Sequence, residues 1–345
     1  MSIKTNVPLS ILDLSMIREG GTVRQALEES LDLAQHAEQW GYNRIWLAEH
    51  HGMRGIASAA TSVVIGYIAN GTSTIRVGSG GIMLPNHAPI VIAEQFGTLE
   101  SLYPGRIDLG LGRAPGTDPL TARALRRHLG SNGDTFPDDL QELREYLNPT
   151  QDRKVKAVPG EGLDIPIYIL GSSDFGARLA ANLGLPFAFA SHFAPDMIFQ
   201  ALDIYRSEFQ PSETLSKPYA MVGVNVIVAD TDEEAKFLFT SPLQQFRNLI
   251  RGTPGQLRPP VDDMDDWRPG EAEAVERMLR FAVVGSSESV RKGLDRVTDL
   301  TDADELITVS AIYDHTARLR SFELLAELWR TRTGEAQVLC ASGVD

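Results

Sequence analysis

Arg44-Ile-Trp-Leu-Ala-Glu-His-His51 runs an apolar strand straight into an acid and two adjacent histidines. The same rhythm recurs at Ile75-Arg-Val-Gly-Ser-Gly-Gly-Ile-Met-Leu-Pro85, Arg106-Ile-Asp-Leu-Gly-Leu-Gly-Arg113 and Pro166-Ile-Tyr-Ile-Leu-Gly-Ser-Ser173, each an apolar run that opens into Gly, Ser or Arg. Such runs alternate with longer segments of helical period, which predicts parallel strands with helices packed outside. Strands are expected near 8–14, 43–48, 75–82, 106–111, 166–170, 187–191, 220–228 and 305–312. Eight strands in this rhythm point to a (β/α)8 TIM barrel, a fold that keeps its chemistry at strand C-terminal ends. The four quoted stretches then form one rim.

The helix from Thr22 to Trp40 shows the local logic. Thr22 is its N-cap, Leu27, Leu31, Ala34 and Ala37 recur on one face, and Gly41 ends it. A second helix runs from Pro89 through Ile92, Phe96 and Leu99 to Tyr103, with Pro in its first turn and Pro104-Gly105 as its stop. The gap between the fourth and fifth strands is nearly double the earlier ones, so residues 114–163 read as an insertion. A second insertion, 240–284, contains Gly252-Thr-Pro-Gly-Gln-Leu-Arg-Pro-Pro260 and the acidic run Asp262 to Asp266. That stretch reads as a mobile loop, either a lid over the barrel mouth or a disordered excursion. The chain is expected to be one domain, 1–333, followed by a flexible tail, 334–345.

The formal charge of −14 opposes nucleic-acid binding, which asks for a basic face. Arg123, Arg126 and Arg127 read as a solvated helical face. A single cysteine, Cys340, allows no internal disulfide or cysteine-rich metal centre and fits a reducing cytoplasm. The longest apolar stretch, Ser62 to Ala69, is too short to span a bilayer, and Met1 to Pro8 lacks a signal peptide's apolar core. The reading is a soluble, cytoplasmic protein with no nucleic-acid or membrane partner.

Leu170-Gly-Ser-Ser-Asp-Phe-Gly-Ala177 turns a strand into a helix, whose free N–H groups and serine hydroxyls would cradle a phosphate. Plain N-capping by Ser173 or Asp174 is the alternative. Arg113, at the end of the neighbouring strand, adds a guanidinium able to grip a phosphate bidentately. Gly78-Ser79-Gly80-Gly81 suggests either a flat group lying against the backbone or a β-bulge, with Ile82-Met83-Leu84-Pro85 as an apolar floor. His50 and His51 point to opposite sides of an extended chain, so one faces the mouth as a catalytic imidazole and the other is structural. Glu49 either orients that imidazole or pairs with an arginine. A metal site built from His50, His87, His192 and Asp314 competes, but the first strand ends Leu12-Asp-Leu-Ser15 without paired histidines.

With these pieces in order, the chain resembles the luciferase-like flavin monooxygenases, the group that includes the bacterial luciferase subunits. Trp46-Leu-Ala-Glu-His-His51, Gly78 through Pro89, Pro104 through Arg113 and Leu170-Gly-Ser-Ser173 carry the likeness, with Ser191-His-Phe-Ala-Pro195 and Tyr313-Asp-His-Thr-Ala-Arg318 further on. The resemblance implies FMN at the barrel mouth, its ring over Ser79, Gly80 and Gly81 and its phosphate between Arg113 and the Gly171, Ser172, Ser173, Gly176 turn. It also implies a cis peptide at Gly80–Gly81 and a catalytic role for His50 as general acid/base. Gly112 stands where luciferase has a reactive cysteine, so light emission is not implied. The implied reaction is oxidation of a small organic substrate by reduced FMN and O₂ through a flavin C4a-hydroperoxide. A hydride-transfer enzyme using the deazaflavin F420 and a non-catalytic flavin-binding relative are the alternatives. Gly110-Leu-Gly-Arg-Ala-Pro-Gly116 is broken by proline where a dinucleotide-binding helix would start, so a separate NAD(P)H:flavin reductase is expected to supply reduced FMN. Relatives of this family commonly dimerise through outer helices, and Val63, Val64, Ile65, Tyr67 and Ile68 offer a candidate face for a homodimer.

Overall fold

The computed structural model describes residues 7–114, 116–125, 135–149 and 154–341, with side chains as far as Arg330. Arg126, Arg127 and the side chain of Cys340 lie outside the described residues. The strands are β1 (Leu9–Asp13), β2 (Arg44–Leu47), β3 (Arg76–Met83), β4 (Ile107–Gly112), β5 (Ile167–Gly171), β6 (Phe187–Phe189), β7 (Ala220–Ala229), β8 (Val283–Ser286) and β9 (Glu305–Val309). The helices are α1 (Val23–Trp40), α2 (Thr61–Asn70), α3 (Pro89–Leu102), α4 (Pro119–Leu125), α5 (Phe136–Leu147), α6 (Asp174–Leu183), α7 (Ile198–Ser207), α8 (Asp232–Ile250), α9 (Glu271–Met278), α10 (Ser287–Thr301) and α11 (His315–Ala341).

The strands pair in parallel in the order β6-β5-β4-β3-β2-β1-β9-β7, and β6 pairs with β7 to close an eight-stranded (β/α)8 barrel. The ninth strand, β8, is absent from the sequence reading. It exists because β7 is longer than its neighbours: Met221–Asn225 pairs with β9, and the remaining Val226–Ala229 takes β8.

Alternation along each strand sorts side chains into two layers. Ile45, Leu47, Val77, Leu109, Phe187, Phe189 and Leu306 face the helices and join the large core. Leu12, Trp46, Ala48, Tyr168, Ala188, Met221, Ile307 and Val309 face inward and fill the lumen. Toward the strand starts the filling is ionic. Arg44 donates to Asp108 Oδ2 at 2.7 Å, Glu305 Oε1 at 2.8 Å and Tyr168 Oη at 2.6 Å, while Arg76 holds the other Asp108 oxygen. Two guanidinium groups thus face two buried carboxylates, which is the condition for burying charge there.

The helix ends follow the expected chemistry. Thr22 accepts from Gln25 N–H, Gln25 returns the bond to Thr22 N–H, and Gly41 closes α1 in the left-handed region at φ 81°. The buried stripe of α1 is Ala26, Ser30, Leu33, Ala34 and Ala37, so Leu27 and Leu31 sit at its margin. The 240–284 stretch holds the second half of α8, all of α9 and the start of β8, with an irregular loop from 251 to 270 between the two helices. Its loop is pinned: Leu257 is buried, donates from N–H to Ile17 O at 3.0 Å and accepts from Glu19 N–H at 2.8 Å. Helix α11 runs on to Ala341, past residue 333.

Candidate active site

Trp46 and Ala48 point into the lumen, and the same parity carries His50 inward just beyond the end of β2. Its Nδ1 lies 3.3 Å from the Gly116 carbonyl. That nitrogen therefore carries the proton, which leaves Nε2 bare as an acceptor. Burial holds the His50 imidazole below its ordinary value, against the opposing pull of the Gly116 carbonyl and the Glu49 charge. At neutral pH the ring is uncharged, the state a general base needs.

Glu49 has the opposite parity and turns away from the lumen, where its buried carboxylate collects donors. His51 Nε2 donates to Oε1 at 2.7 Å, His87 Nε2 reaches Oε1 and Oε2 at 2.9 and 3.0 Å, and Met83 N–H reaches Oε2 at 3.2 Å. Burial alone would raise this carboxyl, but the hydrogen bonds from His87, His51 and Met83, with the charge of His87, bring it below the usual range. So Glu49 pairs with neither His50 nor an arginine. It ties the end of β2 to the turn after β3, and His51 is the structural member of the pair.

Ligand-type atoms of Glu49, His51 and His87 lie within 4.8 Å of one another. Each is satisfied as a hydrogen-bonded pair, with both imidazoles using Nε2–H toward the carboxylate. The set weighed from sequence does not gather: Asp314 caps α11 by accepting from Ala317 N–H, and His87 is spent on Glu49.

The pairing of Gly112 with Leu170 places Arg113 beside the start of the β5–α6 turn. Its guanidinium carbon stands 4.0 Å from the centre of the Phe175 ring in the first turn of α6. Ser173 is the N-cap of α6 in extended conformation, yet its side chain makes no capping bond. The plain-capping alternative is therefore not what the turn does. Among the described residues, Arg113, Ser172 and Ser173 form no hydrogen bond or ion pair, so their polar groups and the first N–H groups of α6 converge unspent. Gly176 is buried, and a β-carbon on it would stand 3.3 Å from the Phe187 ring and 3.5 Å from Gly171 Cα, so it lets the helix approach the strand.

The third strand departs from expectation. Ser79 faces the helices, and its hydroxyl is committed to Gly110, donating to the carbonyl at 2.8 Å and accepting from the N–H at 3.0 Å. A β-carbon on Gly80 would lie 2.6 Å from Leu12 Cδ1, and one on Gly81 would lie 2.7 Å from Gly110 O. The protein's own packing thus demands these glycines. The Gly80–Gly81 peptide is cis, and the register slips between Ser79 and Ile82, so the bulge is present as well. Ile82 and Leu84 belong to the outer core. The floor of the cup is instead Leu12, Trp46, Met221, Ile307 and Val309, with Leu170 packed against it.

His192 was named from sequence only as a possible metal ligand, yet it belongs to the cup. A β-carbon on Gly223, an inward position of β7, would stand 2.5 Å from its Nδ1. Its backbone carbonyl accepts from Asn225 Nδ2 at 2.5 Å, and Ser191 Oγ donates to Gly223 O at 2.6 Å. Nδ1 is buried without a partner among the described residues, and burial, with a smaller push from His50, brings the ring down to about 4. The available signal was parity, because Phe187 and Phe189 face outward and put 188, 190 and 192 inward.

A cavity of about 500 Å³ lies at the opposite end of the barrel, lined by Val7, Leu9, Trp40, Tyr42, Trp329 and Arg330 among others. It borders the strand starts, and its one carboxylate, Glu38, is occupied by the N–H groups of Ser73, Thr74 and Ile75. The unspent polar groups and the inward imidazoles are at the other end.

The model of the family described as luciferase-like monooxygenase matches residues 7–303. The chain is 57% identical over 327 residues to Uncharacterized protein YvbT of Bacillus subtilis (strain 168), covering 94% of this chain and 97% of that one. It is 56% identical over 330 residues to a luciferase-like monooxygenase of Escherichia coli (strain K12), with 95% and 98% covered. To the N-acetyl-S-alkylcysteine monooxygenase of Bacillus subtilis it is 31% identical over 334 residues, with 93% and 98% covered. Among solved structures, apo-MsnO8 superposes with a TM-score of 0.88 at 38% identity, covering 94% and 99%. The fold alone is shared with the FMN complex of the oxygenating constituent of 3,6-diketocamphane monooxygenase from Pseudomonas putida (TM-score 0.67, 18% identity, 93% and 98% covered). It is shared equally with an F420-dependent secondary alcohol dehydrogenase (TM-score 0.67, 15% identity, 92% and 97% covered).

Proposed function

The chain belongs to the luciferase-like monooxygenase family and is an oxidoreductase enzyme, and we propose that it uses reduced FMN and O₂ to oxidise a small organic substrate. The observation that carries this reading is the unspent set at the β4 and β5 ends: Arg113, Ser172, Ser173 and the uncapped start of α6. A phosphate monoester is the group whose charge and oxygens use all of them. The apolar floor of Leu12, Trp46 and Met221 suits a tricyclic ring, with the Gly80–Gly81 backbone beside it. When bound, reduced flavin supplies the oxygen-activating chemistry.

The chain's own residues do the rest. Arg113 and the serines anchor one end, and the packed lumen keeps water from below. His50, neutral and bare at Nε2, takes and returns a proton at that atom. A separate NAD(P)H:flavin reductase delivers reduced FMN: the glycine-containing run that opens at Gly110 begins as the end of β4, and among the described residues no helix begins between Gly112 and Pro119. We place the enzyme in the cytoplasm. Among the described residues no helix is long and apolar enough to cross a membrane.

Anaerobic titration with reduced FMN followed by oxygen tests the reading. The expected result is stoichiometric binding and an absorbance transient that free reduced FMN does not give; reoxidation identical to free flavin opposes it. The F420-dependent dehydrogenase of the same fold favours one second reading, hydride transfer from reduced F420. Anaerobic substrate reduction by reduced F420 distinguishes it.

A homodimer is part of the proposal. Of the five residues expected at its face, Val64, Ile65 and Ile68 are buried in the chain's own core. Val63 (70% exposed) and Tyr67 (42%) remain on α2, with Leu102 (63%) on α3. Sedimentation of Val63→Asp with Leu102→Asp is expected to give monomer; an unchanged dimer moves the interface elsewhere.

A further inference from the structure

We propose that Phe175 makes this site selective for phosphorylated flavin, by serving as the platform that holds the Arg113 guanidinium in its anion-binding position. The proposal rests on the reading that Arg113 and the β5–α6 turn take a phosphate.

Arg113 is exposed and, among the described residues, has no carboxylate or carbonyl partner to fix it. A free arginine side chain samples many rotamers, and a phosphate that has to order it loses affinity in doing so. Here the order is already present. The guanidinium carbon lies 4.0 Å from the Phe175 ring centre, well inside the range of cation–π contact. The ring itself is held, because Phe175 is half-buried and packs against the barrel–helix core.

Its position in the helix matters. Phe175 lies two residues after the N-cap Ser173, so the group that carries the guanidinium belongs to the same first turn that offers the N–H donors. Hydroxyls, N–H groups and guanidinium are thereby fixed relative to one another through one rigid element. Gly176 keeps that element close, since its lack of a side chain lets the turn sit against Gly171 and Phe187. An aliphatic residue at 175 would fill the space against the core and leave the guanidinium unsupported. Phe175 packs against the outer core and is not among the lumen residues that form the floor, so its effect falls on the phosphate and not on the flavin ring system.

The test is the dissociation constant of the intact chain for FMN and for riboflavin, by flavin fluorescence, in the wild type, Arg113→Ala, Phe175→Leu and Phe175→Tyr. The wild type is expected to prefer FMN, and Arg113→Ala to abolish the preference. Phe175→Leu should bind FMN about fivefold more weakly, about 1 kcal/mol, with riboflavin unchanged. Phe175→Tyr, which keeps the aromatic face, should bind FMN as the wild type does. If Arg113→Ala abolishes the preference while Phe175→Leu keeps full FMN affinity, the platform role is wrong and the phosphate reading stands. If Phe175→Leu weakens FMN and riboflavin alike, Phe175 is a packing residue and the proposal is overturned. If Arg113→Ala retains the preference, the phosphate reading itself fails and this role falls with it.

Discussion

His192 and Gly223 share one space in the barrel: a β-carbon on Gly223 would stand 2.5 Å from His192 Nδ1. Gly223→Ala must push the imidazole or the strand, and overpacking of this kind costs about 1–3 kcal/mol. Chemical denaturation is expected to show that loss in the wild-type background and a smaller one in His192→Ala. Equal losses in the two backgrounds contradict the shared space.

The His192 imidazole is held at about 4, below its ordinary 6.5, chiefly by burial. The unfolded chain takes up a proton as pH falls through 6.5, whereas the folded chain does so only near 4. The stability from keeping this ring neutral is complete above 6.5 and is lost as pH falls from 6.5 to 4. His50 is shifted in the same direction, and Glu49 and Asp13, both lowered, add losses as pH falls through the ordinary carboxylate range and below it. Urea midpoints between pH 7 and pH 5 should therefore decline in the wild type and decline less in His192→Gln. Parallel slopes refute the assignment.

His50→Ala removes the one imidazole presenting a bare nitrogen to the cup from β2. Turnover with reduced FMN and oxygen is expected to fall roughly 10²–10⁴-fold, while fluorescence titration shows FMN affinity retained. Unchanged turnover takes His50 out of the chemistry.

Arg44→Met leaves Glu305 without its guanidinium partner inside the barrel, although Asp108 keeps Arg76. Breaking one side of a buried pair costs roughly 3–5 kcal/mol, read as a lowered urea midpoint. Affinity for FMN in the folded fraction should be unaffected, because this cluster lies toward the strand starts.

The eight barrel strands were legible because each is a short, mainly apolar run set between longer segments of helical period, and Thr22 and Gly41 announced the ends of α1 by capping chemistry alone. Strand β8 was not legible, since Val283-Val-Gly-Ser286 is short and owes its existence to the overlong upper half of β7. The floor was misread for one local reason. The bulge gives β3 three steps from Ser79 to Ile82 against two on β4 from Leu109 to Leu111, and one extra residue reverses every later side chain. Ile82 thus faces the helices, and Met83 stands near Gly112. Ser79 was lost as a lumen contact to the same alternation. Arg113 and Ser173 were legible together because adjacent parallel strands bring their ends side by side. His192 escaped because its parity counts from a strand of three residues.

The most direct test is a crystal structure of the chain with FMN. The phosphate should lie within hydrogen-bond distance of Arg113 and Ser173, with the flavin ring above Leu12 and Trp46 and its edge beside His50. Phosphate density at the opposite end, in the cavity between Trp40, Tyr42 and Trp329, would contradict the account.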